Sequence, residues 1–277
     1  MPDEGSELSL LAEHTLFFST FCFYFFATVF FIAHLVWYHR GLFVTGKLLA
    51  GIGLITNTMA LIARTISAGH LPVASMYEFG MAMVWLLVVF WFFIDWRQQM
   101  PALGAFILSL AFVLTGVFLA FYQEAKPLIP ALKSNWLLAH VITAVIAYGS
   151  LALSFGMALL YFWYSKFGET ANKERVRLKI ALWVDKTILF AMPFLTLLIA
   201  TGAVWAEYAW GSYWRWDPKE TWSLITWIIY SIYLHGRMIK NWTVHRSMGL
   251  AVVGFLTVLF TFMGVNVLLP GLHSYAQ

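Results

Sequence analysis

The sequence predicts an all-α, polytopic membrane protein of about eight transmembrane helices, and three observations predict it. Of 277 residues, 61% are apolar and only 11% are charged, against roughly 25% charged in an ordinary soluble domain. The apolar residues gather into runs of about 20, the length that crosses a hydrocarbon layer about 30 Å thick. The segments between the runs are short and polar.

The runs cover residues 15–38, 47–66, 79–96, 103–122, 136–164, 184–205, 221–238 and 247–269. No low-complexity stretch, internal repeat or sizeable soluble domain remains between them. The expected organisation is an N-terminal segment 1–14, one membrane domain 15–270 and a tail 271–277. The first four runs could form one bundle and the last four another, although no linker marks a boundary. The acidic N-terminus lacks the basic region of a cleaved signal peptide. Cys22 is the only cysteine, which excludes a dithiol chemistry of the chain's own. The net charge of +4 is too small to mark a nucleic-acid binder.

Orientation follows from the cations, because Lys and Arg concentrate in cytoplasmic loops. With the N-terminus outside, the inner segments hold Arg40, Lys47, Arg97, Lys166, Lys173, Arg175, Arg177, Lys179, Lys186, Arg237, Lys240 and Arg246. The outer segments hold only Arg64, Lys126, Lys133, Arg215 and Lys219. The excess places both termini on the outer side.

Residues 205–227 read WAEYAWGSYWRWDPKETWSLITW and contain six of the fourteen tryptophans: Trp205, Trp210, Trp214, Trp216, Trp222 and Trp227. In this topology they belong to the outer loop 205–222 and the start of the seventh run. An interfacial aromatic belt accounts for a few indoles. Six in so short a segment, with Gly211 and Pro218 shaping the turn, point instead to a platform for a large planar ligand. Asp217-Pro218-Lys219-Glu220 carries a helix-start signature, with Asp at the N-cap, Pro at the first position and Glu at the third. Asp217 and Glu220 therefore read as capping residues before catalytic acids. The helix they start turns its positive end, with Arg215 and Lys219 beside it, toward the tryptophans, an environment for anionic groups.

The run Trp210-Gly211-Ser212-Tyr213-Trp214-Arg215-Trp216-Asp217-Pro218-Lys219-Glu220 resembles the tryptophan-rich WWD motif of haem-handling membrane proteins. Gly69-His70-Leu71-Pro72 with Tyr77-Glu78, Tyr233-Leu234-His235-Gly236-Arg237, and Gly271-Leu272-His273-Ser274-Tyr275 narrow the resemblance, together with His140. They are similar to the CcsA/ResC-type subunit of the System II cytochrome c synthase, over about residues 60–277.

The resemblance implies a subunit that presents haem b on the outer face for thioether attachment to the CxxCH of apocytochrome c. It would be active with a CcsB/ResB-type membrane partner, as a haem-lyase type of enzyme. Membership implies His140 and His273 as axial ligands and catalytic residues of an outer haem. It also implies His235 as a ligand of a second, intramembrane haem, the opposite ligand coming from the partner. Trp205, Trp210, Trp214, Trp216 and Trp222 would line the outer haem, with Arg215, Asp217, Lys219 and Glu220 at its polar edge.

The positions agree with this reading. His140 lies near the outer start of the fifth run and His273 just past the outer end of the eighth. His235 lies 14 residues into the seventh run, about 21 Å down, and intramembrane ionisable residues are functional candidates by default. His34 is a second candidate to face it. His70 and Glu78 either line an entry or order their loop. His14, His39 and His245 read as solvated. A haem transporter without synthase activity is the alternative function. A System I chaperone fits less well with eight spans, and a quinone-linked haem b carrier lacks paired histidines on facing spans. The expected home is the bacterial plasma membrane, with the thylakoid membrane as the alternative.

Overall fold

The computed structural model describes residues 4–98, 100–167 and 173–269. Among these residues the regular structure is entirely helical. Eight long helices follow one another: α1 (Glu4–Trp37), α2 (Arg40–Ala68), α3 (Met76–Gln98), α4 (Pro101–Leu119), α5 (Asn135–Phe167), α6 (Lys173–Trp210), α7 (Pro218–Met238) and α8 (Val244–Leu268). Each expected apolar run forms one of them.

Seven are long and apolar enough to cross a membrane. The eighth, α7, has the length at 21 residues. It falls short in apolarity because Lys219, Glu220, His235 and Arg237 share it with a series of Ser, Thr and Tyr. Several helices outrun their apolar runs. In water, such ends would fray; here charged first and last turns, such as Lys173–Lys179, carry the backbone out of the apolar layer while keeping its hydrogen bonds closed within the helix.

The chain divides into two compact units, Met1–Pro130 and Ala131–Gln277. In the first, α1 packs on α2 and α4, and α3 on α4 and α2. In the second, α5 packs on α6 and α8, and α7 on α6 and α8. Each unit is thus a ring of four helices in which every helix has two neighbours.

Helix boundaries follow local chemistry. Gly69 closes α2 in the left-handed conformation at φ 69°, its N–H returning to Thr65 O at 3.1 Å. His39 caps the start of α2, its Nδ1 accepting from Gly41 N at 3.2 Å. Gly211 closes α6 at φ 70°, with its N–H on Glu207 O at 2.8 Å. Trp205 and Trp210 are therefore helical, and the loop proper runs only from Gly211 to Asp217. Helix α8 carries a π-helical segment at Phe260–Gly264, a distortion that periodicity does not announce and that recurs at functional sites.

The strongest polar feature of the first unit is fully buried. Arg64 donates from Nε to Glu78 Oε1 and from Nη1 to Glu13 Oε1, both at 2.8 Å, and from Nη1 to Gln123 O at 2.9 Å. Arg64 is 2% exposed, Glu13 0% and Glu78 1%. Ser67 Oγ donates to Glu13 at 3.2 Å, and Ala74 N donates to the second Glu78 oxygen at 2.7 Å. Glu78 thus orders the loop between α2 and α3. His70 does the same, its ring nitrogens meeting Leu71 O at 2.7 Å and Lys126 O at 3.1 Å. His34 lies in the last turn of α1, 3.0 Å from His39 O, as His235 lies in the last turn of α7.

Candidate functional site

The second unit brings together, at one end, the start of α5, the end of α6, the start of α7 and the far end of α8. The antiparallel pair α5 and α6 places His140 beside Trp205, with ring centroids 6.3 Å apart and planes 17° from parallel. The His140 Nδ1 lies 2.8 Å from Leu198 O on α6. A carbonyl oxygen only accepts, so Nδ1 carries a proton, and in the neutral ring the lone pair is then on Nε2. A fixed tautomer and ring plane are what a metal-ligating histidine requires from its surroundings.

Gly202 makes this approach possible. A Cβ there would sit 2.8 Å from both Cε1 and Nδ1 of His140. The glycine, one helical turn after Leu198, leaves the slot into which the ring settles. Nothing in the sequence reading singled it out, since a lone glycine in an apolar helix has many uses.

The loop is held by its own polar groups. Asp217 and Glu220 form a complete capping box on α7. Lys219 N donates to Asp217 Oδ1 at 3.0 Å, while Glu220 Oε2 accepts from Asp217 N at 3.2 Å and Arg215 N at 2.8 Å. Both carboxylates are spent on backbone N–H groups. The Arg215 guanidinium reaches Trp210 O and its side chain stays exposed. Lys219 is half-buried in the turn ahead of the apolar run of α7. Burial pulls its ammonium down to about 8, against the opposing charge of Asp217.

The indoles do not lie as one flat slab. Trp205 is buried and meets Trp210 edge-on, centroids 4.9 Å apart. Trp222 packs on Phe260 of the π segment at 4.3 Å. Trp227 donates from Nε1 to Thr196 Oγ1 at 2.9 Å. Trp214 and Trp216 form a second edge-to-face pair at 5.6 Å. Trp216 is 68% exposed and holds φ at 57°, a left-handed conformation unusual for so bulky a residue. Trp205, Trp210 and Trp222 are thus engaged with neighbouring rings, while Trp216 presents its indole at the surface.

Of the other expected residues, His235 is exposed in the last turn of α7. His273 lies outside the described residues, which end at Leu269 in this unit. Trp222 on α7 touching Phe260 on α8 places the far end of α8 at the end of the unit that carries His140 and the loop.

These features define a class: a multi-pass helical membrane protein with a histidine held against a buried indole beneath a tryptophan-rich, helix-capping loop. Residues 73–273 match the family model described as cytochrome C assembly protein. The chain belongs to that family, and its role is in cytochrome c maturation. It is 37% identical over 246 residues to the cytochrome c biogenesis protein CcsA of Guillardia theta, covering 80% of this chain and 82% of that one. It is 34% identical to the CcsA of Cyanophora paradoxa over 98% of both chains. Among solved structures, the cytochrome c haem lyase CcmF shares the fold with a TM-score of 0.72 at 15% identity, over 92% of this chain. The chain spans about half of that structure's length, 47%.

Proposed function

We propose that this chain is the haem-handling subunit of a cytochrome c synthase, presenting haem b for covalent attachment to apocytochrome c. The observation that carries the reading is His140, its ring held between Leu198 O, Trp205 and the Gly202 slot below the tryptophan-rich loop. The residues present fit haem. An imidazole of set tautomer suits the iron. The rings of Trp210, Trp214 and Trp216 suit the macrocycle. Arg215, Lys219 and the start of α7 suit the propionates. His273 supplies the second axial ligand in this reading. The described chain ends four residues before it, at the His140 end of the unit.

The iron and the conjugated ring supply the electronic side of the chemistry. Each thiol of the CxxCH adds across one haem vinyl group. Sulfur forms the new C–S bond, the thiol proton goes to the neighbouring carbon, and no net electron is consumed. The chain's residues orient the vinyl edge and shield the site from water and oxidants. His140 and His273 would hold the ring by its iron, and the histidine of the CxxCH would replace one of them as product forms.

A second haem is held by His235, exposed on α7 toward a partner, with a CcsB/ResB-type subunit supplying the facing ligand. The complex resides in an energy-conserving membrane, bacterial plasma or thylakoid. Relatives drawn mostly from plastid-bearing organisms keep the thylakoid membrane in play beside the bacterial plasma membrane.

The decisive experiment is to replace His140 or His273 by Gly in the complex and record haem content and absorption, with and without imidazole. Loss of the outer haem, restored by imidazole, is expected in both variants. Unchanged spectra in both would end the proposal. Reconstitution of the complex with reduced CxxCH peptide and haem tests the enzymatic half. Haem movement with no thioether product would reassign the chain to transport.

A further inference from the structure

His235 sits three residues from the end of α7, where helices ordinarily fray. An axial ligand must hold its position to roughly 0.5 Å and its plane to about 10–20°. The last turn of α7 is tied down on one side. Asp185 on α6 accepts from Tyr233 Oη at 2.6 Å and from Arg237 Nε at 3.0 Å on Oδ1, and from Arg237 Nη2 at 2.6 Å on Oδ2. Behind the same turn, Gly236 leaves room for Trp242, whose ring would lie 2.4 Å from an added Cβ. Trp242 N donates back to Gly236 O at 2.9 Å.

Tyr233 and Arg237 stand two residues before and after His235. At about 100° per residue, positions two apart point about 160° away from one another. The clamp therefore grips one face of the turn and leaves His235 on the opposite, exposed face. Tyr233 is fully buried, while Arg237 and Asp185 keep 17% and 26% of their side-chain surface. Partly desolvated ion pairs contribute little net stability over apolar packing, and their better-attested use is to specify one arrangement among several. A bidentate guanidinium–carboxylate pair is the side-chain contact best suited to fixing an angle.

We infer that Asp185 is the positioning residue of His235: through Tyr233 and Arg237 it sets the rotation of the last turn of α7, and so the direction of the imidazole. This rests on the reading that His235 ligates haem. Without the clamp the turn frays and the ring samples other directions. The haem it holds then loses its uniform low-spin ligation.

The test uses the full chain isolated from its membrane with its co-purifying subunits and bound haem. His235→Gly identifies the absorption that belongs to this haem. Asp185→Ala is expected to convert that same absorption partly to high spin and to lower its haem occupancy at least ten-fold. Asp185→Asn, which keeps the shape and one acceptor, is expected to fall between. Tyr233→Phe removes one hydrogen bond and no charge; it shifts the spectrum in the same direction by less, and keeps the measurement open should Asp185→Ala fail to fold. Amide exchange at 235–238 rises in the Asp185 variants. Loss of the signal in His235→Gly with unaltered spectrum and occupancy in Asp185→Ala, or in Tyr233→Phe if the alanine variant is lost, overturns the inference alone. An unaltered signal in His235→Gly overturns the haem reading of His235 and the inference with it.

Discussion

The two units use charge in opposite ways. In the first, Arg64, Glu13 and Glu78 lie wholly inside, their oxygens and nitrogens matched to one another, to Gln123 O and to Ala74 N. In the second, Asp217 is buried in its capping box, while Arg215 in the loop, Lys219 and Glu220 at the head of α7, and Arg237 with Asp185 of α6 at its foot stay partly exposed. A charge sealed among helices fixes where helices and loops sit. Of the groups at helix ends, Glu220, Asp185 and Arg237 are matched to protein partners, while Arg215 and Lys219 keep solvent-facing surface. The first unit thus keeps its strongest polar cluster away from water, and the second keeps its charges beside the loop and at the foot of α7.

The largest expected effect breaks the sealed cluster. Arg64→Leu leaves two carboxylates without their shared cation in an apolar interior, which costs about 3–5 kcal/mol. The thermal midpoint in detergent should fall sharply, and the yield of folded protein with it. An unaltered midpoint would remove the contrast between the units.

A smaller and more local effect is expected from Gly202→Ala. The new methyl group meets His140 at 2.8 Å, so the ring must turn and give up the bond to Leu198 O. Loss of such an orienting bond costs about ten- to a hundred-fold in metal affinity. Haem content and absorption should change while the helical circular dichroism stays as it was. A change in fold with haem retained would contradict this assignment.

The pH dependence sharpens the same contrast. Lys219 is held near 8 by burial, below its usual 10.5. Its folded-state value is depressed, so the free site carries the full positive charge only well below 8, is half-charged near 8 and loses the rest as pH rises further. A propionate pairs with the charged form only. Haem affinity should therefore be level well below pH 8 and decline as pH rises through it, and Lys219→Met should abolish the decline. Equilibrium titration of the detergent-solubilised complex across pH 6–10 measures both.

The smallest effect is expected from Trp216→Gly. Relief of the left-handed backbone is worth about 1 kcal/mol or somewhat more, so the loop should become slightly more stable while haem binding weakens through loss of an exposed indole. Tryptophan fluorescence quenching by haem separates the two.

The spans were legible because an apolar run of about 20 residues has few other uses. The start of α7 was legible from Asp217-Pro218-Lys219-Glu220, since a capping box is a local device and needs no partner from elsewhere. The dense tryptophans marked a candidate site without disclosing its shape: Trp205 is buried beside His140 and Trp210, Trp222 packs on Phe260, and Trp216 stays exposed. Arg64 had been counted as an outer surface cation and Glu13 as part of an acidic tail, because nothing in a linear string tells a sealed ion pair from two solvated charges. The π segment of α8, the Gly202 slot and the Asp185 clamp had no local signature.

By itself the sequence determined that the chain is helical, crosses a membrane many times and gathers its tryptophans around the loop that opens α7. Those properties depend on composition, run length and residues a few positions apart. Only the tertiary structure decided which side of each helix meets which neighbour. A helix apolar all round carries no stripe to announce its buried face, so its rotation about its own axis is chosen by packing, and with it the partners of His140, Arg64 and Asp185.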